Sequence, residues 1–144
     1  MNTGFADITV MNETLDNKMP TVIIADDSPE LCMLLKITLE MCGCDVIATA
    51  ENGEIAIELI EQYKPDIVFL DIEMPVKNGF EVLEMIKERN IQTCFVMLSG
   101  HSSKENILAS VEMGALGFIV KPHTQAKIEE IIASYMKLRK DRAN

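Results

Sequence analysis

Tryptophan is absent from this 144-residue chain, and the aromatic complement is five Phe and two Tyr. A hydrophobic fraction of 48% is nevertheless ample for one packed core, and the length fits one domain. Basic residues are few, 13 against 23 acidic ones, for a net charge of −10. That balance excludes a nonspecific nucleic-acid footprint, so no direct nucleic-acid partner is expected, whereas a divalent cation remains an eligible ligand. No apolar run approaches the about 18 residues of a membrane span. The N-terminus has neither a basic leader nor a continuous apolar segment. These absences predict a soluble, cytoplasmic protein without membrane insertion. There are two His and four Cys, and the Cys42-Gly43-Cys44 pair finds no second Cys pair or nearby His to complete a zinc set. Cys32, Cys42, Cys44 and Cys94 are read as reduced thiols filling helix and strand positions.

What is present centres on Lys64-Pro65-Asp66-Ile67-Val68-Phe69-Leu70-Asp71-Ile72-Glu73-Met74-Pro75. An apolar run bounded by turn residues suits a strand buried on both faces of a parallel sheet. Asp71 stands where that strand ends, on the edge where open α/β sheets bind ligands. A carboxylate there is a nucleophile, a metal ligand or an acidic helix cap.

The remaining chain alternates strand and helix. Residues 1 to 19 show no sustained period and are expected to be a flexible tail, followed by one domain over residues 20 to 144. Val22-Ile23-Ile24-Ala25 is a strand ending in Asp26-Asp27, and Ser28-Pro29 opens a helix carrying Leu31, Leu34, Leu35, Thr38, Leu39 and Cys42. Val46-Ile47-Ala48 forms a second strand, and a helix opened by Asn52-Gly53 buries Ile55, Ala56, Leu59 and Ile60. After the central strand a helix runs from Phe80 to Asn90 with Val82, Leu83 and Ile86 inward. A fourth strand ends at Ser99-Gly100, and Ser103 caps a helix with Ile107, Leu108 and Val111. A fifth strand, Gly117-Phe118-Ile119-Val120, ends in Lys121-Pro122, and Thr124 caps a last helix with Ile128, Ile131, Ile132, Tyr135 and Leu138 on one stripe. Five strands alternating with five helices imply a doubly wound α/β fold with a parallel sheet.

In such a sheet all strand C-termini share one edge. Here that edge receives Asp26 and Asp27, Asp71, Ser99 and Lys121, from four different strands. Clustered carboxylates repel one another, so they raise a pKa or recruit a cation. Oxygen ligands without His or Cys favour Mg²⁺. An aspartate can accept a phosphoryl group, whose spread charge Mg²⁺ and Lys121 would meet, with the Ser99 hydroxyl as donor.

These residues resemble the receiver domain of two-component response regulators. The resemblance rests on Asp26-Asp27, Asp71 with Met74-Pro75 and Asn78-Gly79, Ser99-Gly100, Gly114-Ala115 and Lys121-Pro122, and it spans about residues 20 to 140. It implies a flavodoxin-like five-stranded sheet in the order 2-1-3-4-5, an order also cited for chemotaxis receivers. It further implies Asp71 as phosphoacceptor, and Asp26, Asp27, Asp71 and the Glu73 backbone carbonyl as the metal shell. Ser99 would be the hydroxyl switch, Lys121 the phosphate-binding cation and Phe118 the aromatic switch, with a cis Lys121-Pro122 bond. The implied partners are a sensor histidine kinase or histidine phosphotransfer protein and a downstream protein target. The target would be met through the fourth helix, fifth strand and fifth helix by a monomer or phosphorylation-dependent dimer. Because the chain ends with the last helix, a stand-alone receiver is expected, active in self-catalysed phosphotransfer and autodephosphorylation only.

Glu73 and His101 stand at positions that vary in the family and tune hydrolysis there. The Glu73 side chain either adds to metal affinity or hinders an attacking water, or else it is a solvent-facing loop residue, and His101 has the same exposed-loop alternative. His123 reads as a surface loop residue. Met33, Ile37 and Met41 read as a partly buried flank of the first helix, or as docking surface for a histidine-bearing helix. Two other readings stay open. One is a haloacid-dehalogenase-type phosphatase, which also uses Asp and Mg²⁺ but wants its nucleophile on the first strand. The other is a phosphorylation-independent adaptor.

Overall fold

A computed structural model describes residues 18–143. The tail expected over residues 1 to 19 therefore lies outside the described residues except at its end, where the Lys18 carbonyl accepts a 2.7 Å hydrogen bond from Arg139 Nη1. In chain order the elements are β1 (Thr21–Ala25), α1 (Pro29–Met41), β2 (Asp45–Ala50), α2 (Gly53–Tyr63), β3 (Ile67–Asp71), α3 (Gly79–Glu88), β4 (Cys94–Ser99), α4 (Lys104–Glu112), β5 (Gly117–Val120) and α5 (Gln125–Ala143). The strands form one sheet in the order β2-β1-β3-β4-β5, and every pairing is parallel. The predicted fold and strand order are both present.

Alternation along the strands divides the core in two. Ile23, Val68, Leu70, Phe95 and Met97 face α2 and α3, meeting Ala56, Ile57, Ile60, Val82, Leu83 and Ile86. Val22, Ile24, Ile67, Phe69, Val96, Leu98 and Ile119 face the opposite way, toward Leu35 and Leu39 of α1 and Ile128, Ile131, Ile132 and Tyr135 of α5. β3 lies third of five and all its residues are buried, which accounts for its unbroken apolar run.

Local signals set the helix starts. The side chains of Ser28, Asn52 and Ser103 each accept from the backbone N–H three residues on. Asn78 does the same for Glu81, whose carboxylate in turn accepts the Asn78 N–H in a reciprocal cap. These caps start each helix just beyond the C-terminal edge of the sheet.

The structure corrects three expectations about burial. Leu34 is exposed rather than part of the inward stripe of α1, as are Met33, Ile37 and Met41, so that stripe is no buried flank. A helix lying on a sheet buries a narrow arc, and Leu35 and Leu39 occupy it. In α2 the buried set includes Ile57, while Ile55 and Leu59 are half-buried. On α4, Ile107, Leu108 and Val111 are all exposed, and Ser110 is the buried side chain, its hydroxyl bonded to the Asn106 carbonyl at 2.7 Å.

Candidate functional site

The four strand tips bring their polar residues together. Lys121, just beyond β5, extends Nζ between two carboxylates, 3.0 Å from Asp26 Oδ2 and 3.1 Å from Asp71 Oδ2. Each of these aspartates uses its other oxygen locally. Asp26 Oδ1 accepts the Ser28 N–H at 2.9 Å, and Asp71 Oδ1 accepts the Glu73 N–H at 3.1 Å. Asp26 and Asp71 are buried, whereas Asp27 is exposed. Carboxylate oxygens of Asp26, Asp27 and Asp71 lie within 4.8 Å of one another.

Three carboxylates against one ammonium leave two negative charges unmatched, and the donors are all oxygen. That set fits a hard divalent cation such as Mg²⁺. The electrostatics agree. Burial first, and then the charge of Asp26, push the Asp71 carboxyl up to about 6, with Lys121 opposing. Burial acts to lower Lys121, but its hydrogen bonds to Asp26 and Asp71 outweigh that effect and hold its pKa above the ordinary value.

The loop after β3 is fixed by close packing. A Cβ on Gly79 would stand 2.5 Å from the Asp71 carbonyl oxygen, so the start of α3 can approach the tip of β3 only without a side chain. The Gly79 N–H donates to the Ile72 carbonyl at 2.9 Å. Between these contacts Val76 adopts φ +71°, and Lys77 N–H bonds Pro75 O at 2.8 Å around it. A β-branched residue in the left-handed region is strained. The strain falls in the loop that carries Glu73.

Ser99 is fully buried. Its hydroxyl donates to Glu73 Oε1 at 3.2 Å and accepts the His101 N–H at 3.1 Å. The Glu73 side chain is thus not simply turned to solvent, although the residue is exposed; His101 is exposed as well. Phe118 is half-buried against the α2–α3 core, and the Lys121-Pro122 bond is cis as expected.

His123 departs from its reading as a surface loop residue. It is half-buried, with a ring nitrogen (Nε2) 2.8 Å from Thr38 Oγ1. Because the Thr38 hydroxyl donates to the Leu34 carbonyl at 3.0 Å, its oxygen is left to accept, and Nε2 carries the proton. Burial holds the His123 pKa below the ordinary value. The contact joins α1 to the loop carrying Lys121. Its partners lie 85 positions apart, and no sequence signal pairs them.

An aspartate at the tip of a central parallel strand, bridged by lysine to a second acidic tip, occurs on a fold shared with known signalling proteins. The chain belongs to the response regulator receiver domain family, whose pattern matches residues 22–133. It is 34% identical over 111 residues to the chemotaxis protein CheY of Bacillus subtilis, covering 77% of this chain and 92% of that one. Against the autoinducer 1 sensor kinase/phosphatase LuxN of Vibrio harveyi it is 33% identical over 125 residues, 87% of this chain but 14% of that one. Among solved structures, the CheX-CheY-BeF3-Mg+2 complex of Borrelia burgdorferi superposes with a TM-score of 0.77 at 32% identity, covering 83% and 92% of the two chains. Receiver domains are signalling domains rather than conventional enzymes. The phosphatase reading also needs its nucleophile on the first strand, whereas Asp71 ends the third.

Proposed function

We propose that this chain, with its receiver unit over residues 20 to 144, accepts a phosphoryl group on Asp71 from a phosphohistidine of a sensor kinase or phosphotransfer protein. The observation that carries the reading is the Lys121 ammonium held between Asp26 and Asp71. The cluster gathers charge for an acceptor reaction, and Asp71 is the carboxylate that ends the central strand. In the transfer, an Asp71 oxygen forms the new O–P bond as the N–P bond breaks, and the departing imidazole nitrogen keeps the electron pair and takes a proton. Bound Mg²⁺, held by Asp26, Asp27, Asp71 and the Glu73 carbonyl, would supply positive charge to the phosphoryl oxygens. Lys121 follows the new oxygens, Ser99 turns its hydroxyl toward them, and Phe118 repacks inward from its half-buried place. Glu73 and His101 tune hydrolysis, so replacing either changes the lifetime of the acyl phosphate severalfold.

Supporting this reading, the Borrelia relative was solved with Mg²⁺ and BeF3, a tetrahedral stand-in for a phosphoryl group. The partner that donates the phosphoryl group is a protein. Met33, Leu34, Ile37 and Met41 form an exposed apolar stripe on α1, the helix that follows Asp26-Asp27, where a histidine-bearing helix can dock. The outgoing signal passes through α4, β5 and α5, where Leu108, Val111 and Val120 are exposed. Output is a protein contact or onward phosphotransfer, made in the cytoplasm by a monomer or phosphorylation-dependent dimer. No described helix is long and apolar enough to cross a membrane.

The test is labelling by a small acyl phosphate or phosphoramidate with and without Mg²⁺. Wild type should label only with the metal, and Asp71→Asn should not label at all. Equal labelling of both proteins, or indifference to Mg²⁺, would end the proposal.

A further inference from the structure

The Ser99 hydroxyl carries one proton, and in this structure that proton is already committed. It points to the Glu73 carboxylate at 3.2 Å, while the oxygen takes the His101 N–H at 3.1 Å. A phosphoryl oxygen is an acceptor only, so Ser99 can engage it only by withdrawing the same proton from Glu73. The two acceptors are therefore mutually exclusive. Their surroundings differ. Ser99 is fully buried, whereas Glu73 is exposed and can be solvated when released. The loop that presents Glu73 is held by the Glu73 N–H to Asp71 Oδ1 bond and by the tight approach of Gly79, so the backbone from which the carboxylate extends is fixed.

We propose that Glu73 is a positioning residue whose carboxylate holds the Ser99 hydroxyl as an internal competitor of the phosphoryl group, raising the threshold for the change that follows phosphorylation. The proposal rests on the reading that Asp71 takes up a phosphoryl group. It goes further by giving the Glu73 side chain a partner and a direction. Removing that side chain makes the Ser99 hydroxyl available in advance, so the modified state forms more readily. The effect must run through Ser99. A carboxylate acting only by repelling the phosphoryl charge would act equally whether or not Ser99 had a hydroxyl.

A double-mutant cycle on the full chain separates these cases. Beryllium fluoride is titrated into ¹⁵N-labelled protein at saturating Mg²⁺, and binding is read from backbone amides of the strand tips. Glu73→Ala should tighten apparent binding roughly three- to tenfold, the range expected when a competing hydrogen bond of ordinary net strength to an exposed partner is removed. Glu73→Gln, which keeps an acceptor, should fall between it and wild type. In the Ser99→Ala background the same Glu73→Ala change should leave binding unaltered. Before any ligand is added, Glu73→Ala should also shift the His101 amide resonance, because its acceptor reorients. An equal gain with and without the Ser99 hydroxyl overturns the latch and leaves a charge effect. An unmoved His101 amide overturns it too. If wild type itself fails to bind beryllium fluoride with Mg²⁺, the phosphoacceptor reading falls, and the latch with it.

Discussion

Two aspartates bracket β3, and they do opposite work. Asp66, just before the strand, is satisfied by neutral donors: its Oδ2 accepts the Thr21 N–H at 2.9 Å and the Thr21 hydroxyl at 3.1 Å. The Asp66 N–H returns a 3.0 Å bond to Thr21 Oγ1, and its carbonyl accepts from Cys94 N–H. The Tyr135 phenol joins this group, and burial followed by the Asp66 charge pushes it up to about 12. At the other end of the same strand, Asp71 is buried beside a second carboxylate and shares a single lysine with it. One end closes the sheet, and the other keeps unmatched charge. Hydrogen bonds from neutral neighbours lock a carboxylate into the fold, whereas an excess of like charge holds one in readiness for a cation and an electrophile.

The sharpest break between the two ends is expected from removing each carboxylate in turn. Asp71→Asn should abolish phosphoryl labelling outright while leaving the far-ultraviolet circular dichroism of the fold intact. Asp66→Ala should do the reverse. It strands the Thr21 donors and costs roughly 1–3 kcal/mol in denaturant unfolding, with labelling kept within about twofold of wild type. A labelling defect equal to that of Asp71→Asn would erase the division.

A third test uses pH on the metal-free protein. The Asp71 carboxyl is raised above its unfolded value, so its ionised form costs stability at pH 7, and that cost shrinks as pH falls below about 6 and is gone near the unfolded value. Asp71→Asn should therefore be the more stable protein at pH 7.5. Its advantage should shrink by about 1–2 kcal/mol by pH 4.5, a figure discounted from the full linkage value for solvent screening. An advantage independent of pH would show that charge is not the cause. The smallest effect is expected at the α1 contact. Thr38→Val removes the acceptor of the His123 N–H and should lower stability by roughly 1 kcal/mol in urea unfolding. No change there would mean that the contact contributes nothing to holding the lysine loop.

Much of this arrangement can be read from the chain because its signals are local. β3 is a continuous apolar run ending in Asp71, Ser28-Pro29 and Asn52-Gly53 open helices, and parallel strands place all their tips on one edge. Asp26, Asp27, Asp71, Ser99 and Lys121 follow from that logic alone. The contacts that fine-tune the site were not. Ser99 meets Glu73 across 26 positions and His123 meets Thr38 across 85, and both depend on side-chain directions that no periodicity encodes. The misjudged burial of Leu34 has a related cause. A helical stripe gives the side of α1 that turns inward, but the shape of the sheet decides how wide the covered arc is, and Leu34 falls outside it.

The Lys121 N–H is bonded to the Ser99 carbonyl at 2.8 Å, so the residues ending β4 and following β5 share a backbone joint. A displacement of the lysine loop would therefore reach the hydroxyl-bearing residue through the main chain. Ser99 in turn accepts from His101, two residues before the Ser103 cap of α4. Any pull on Lys121 by new phosphoryl oxygens would thus be passed through one amide toward the turn that opens α4.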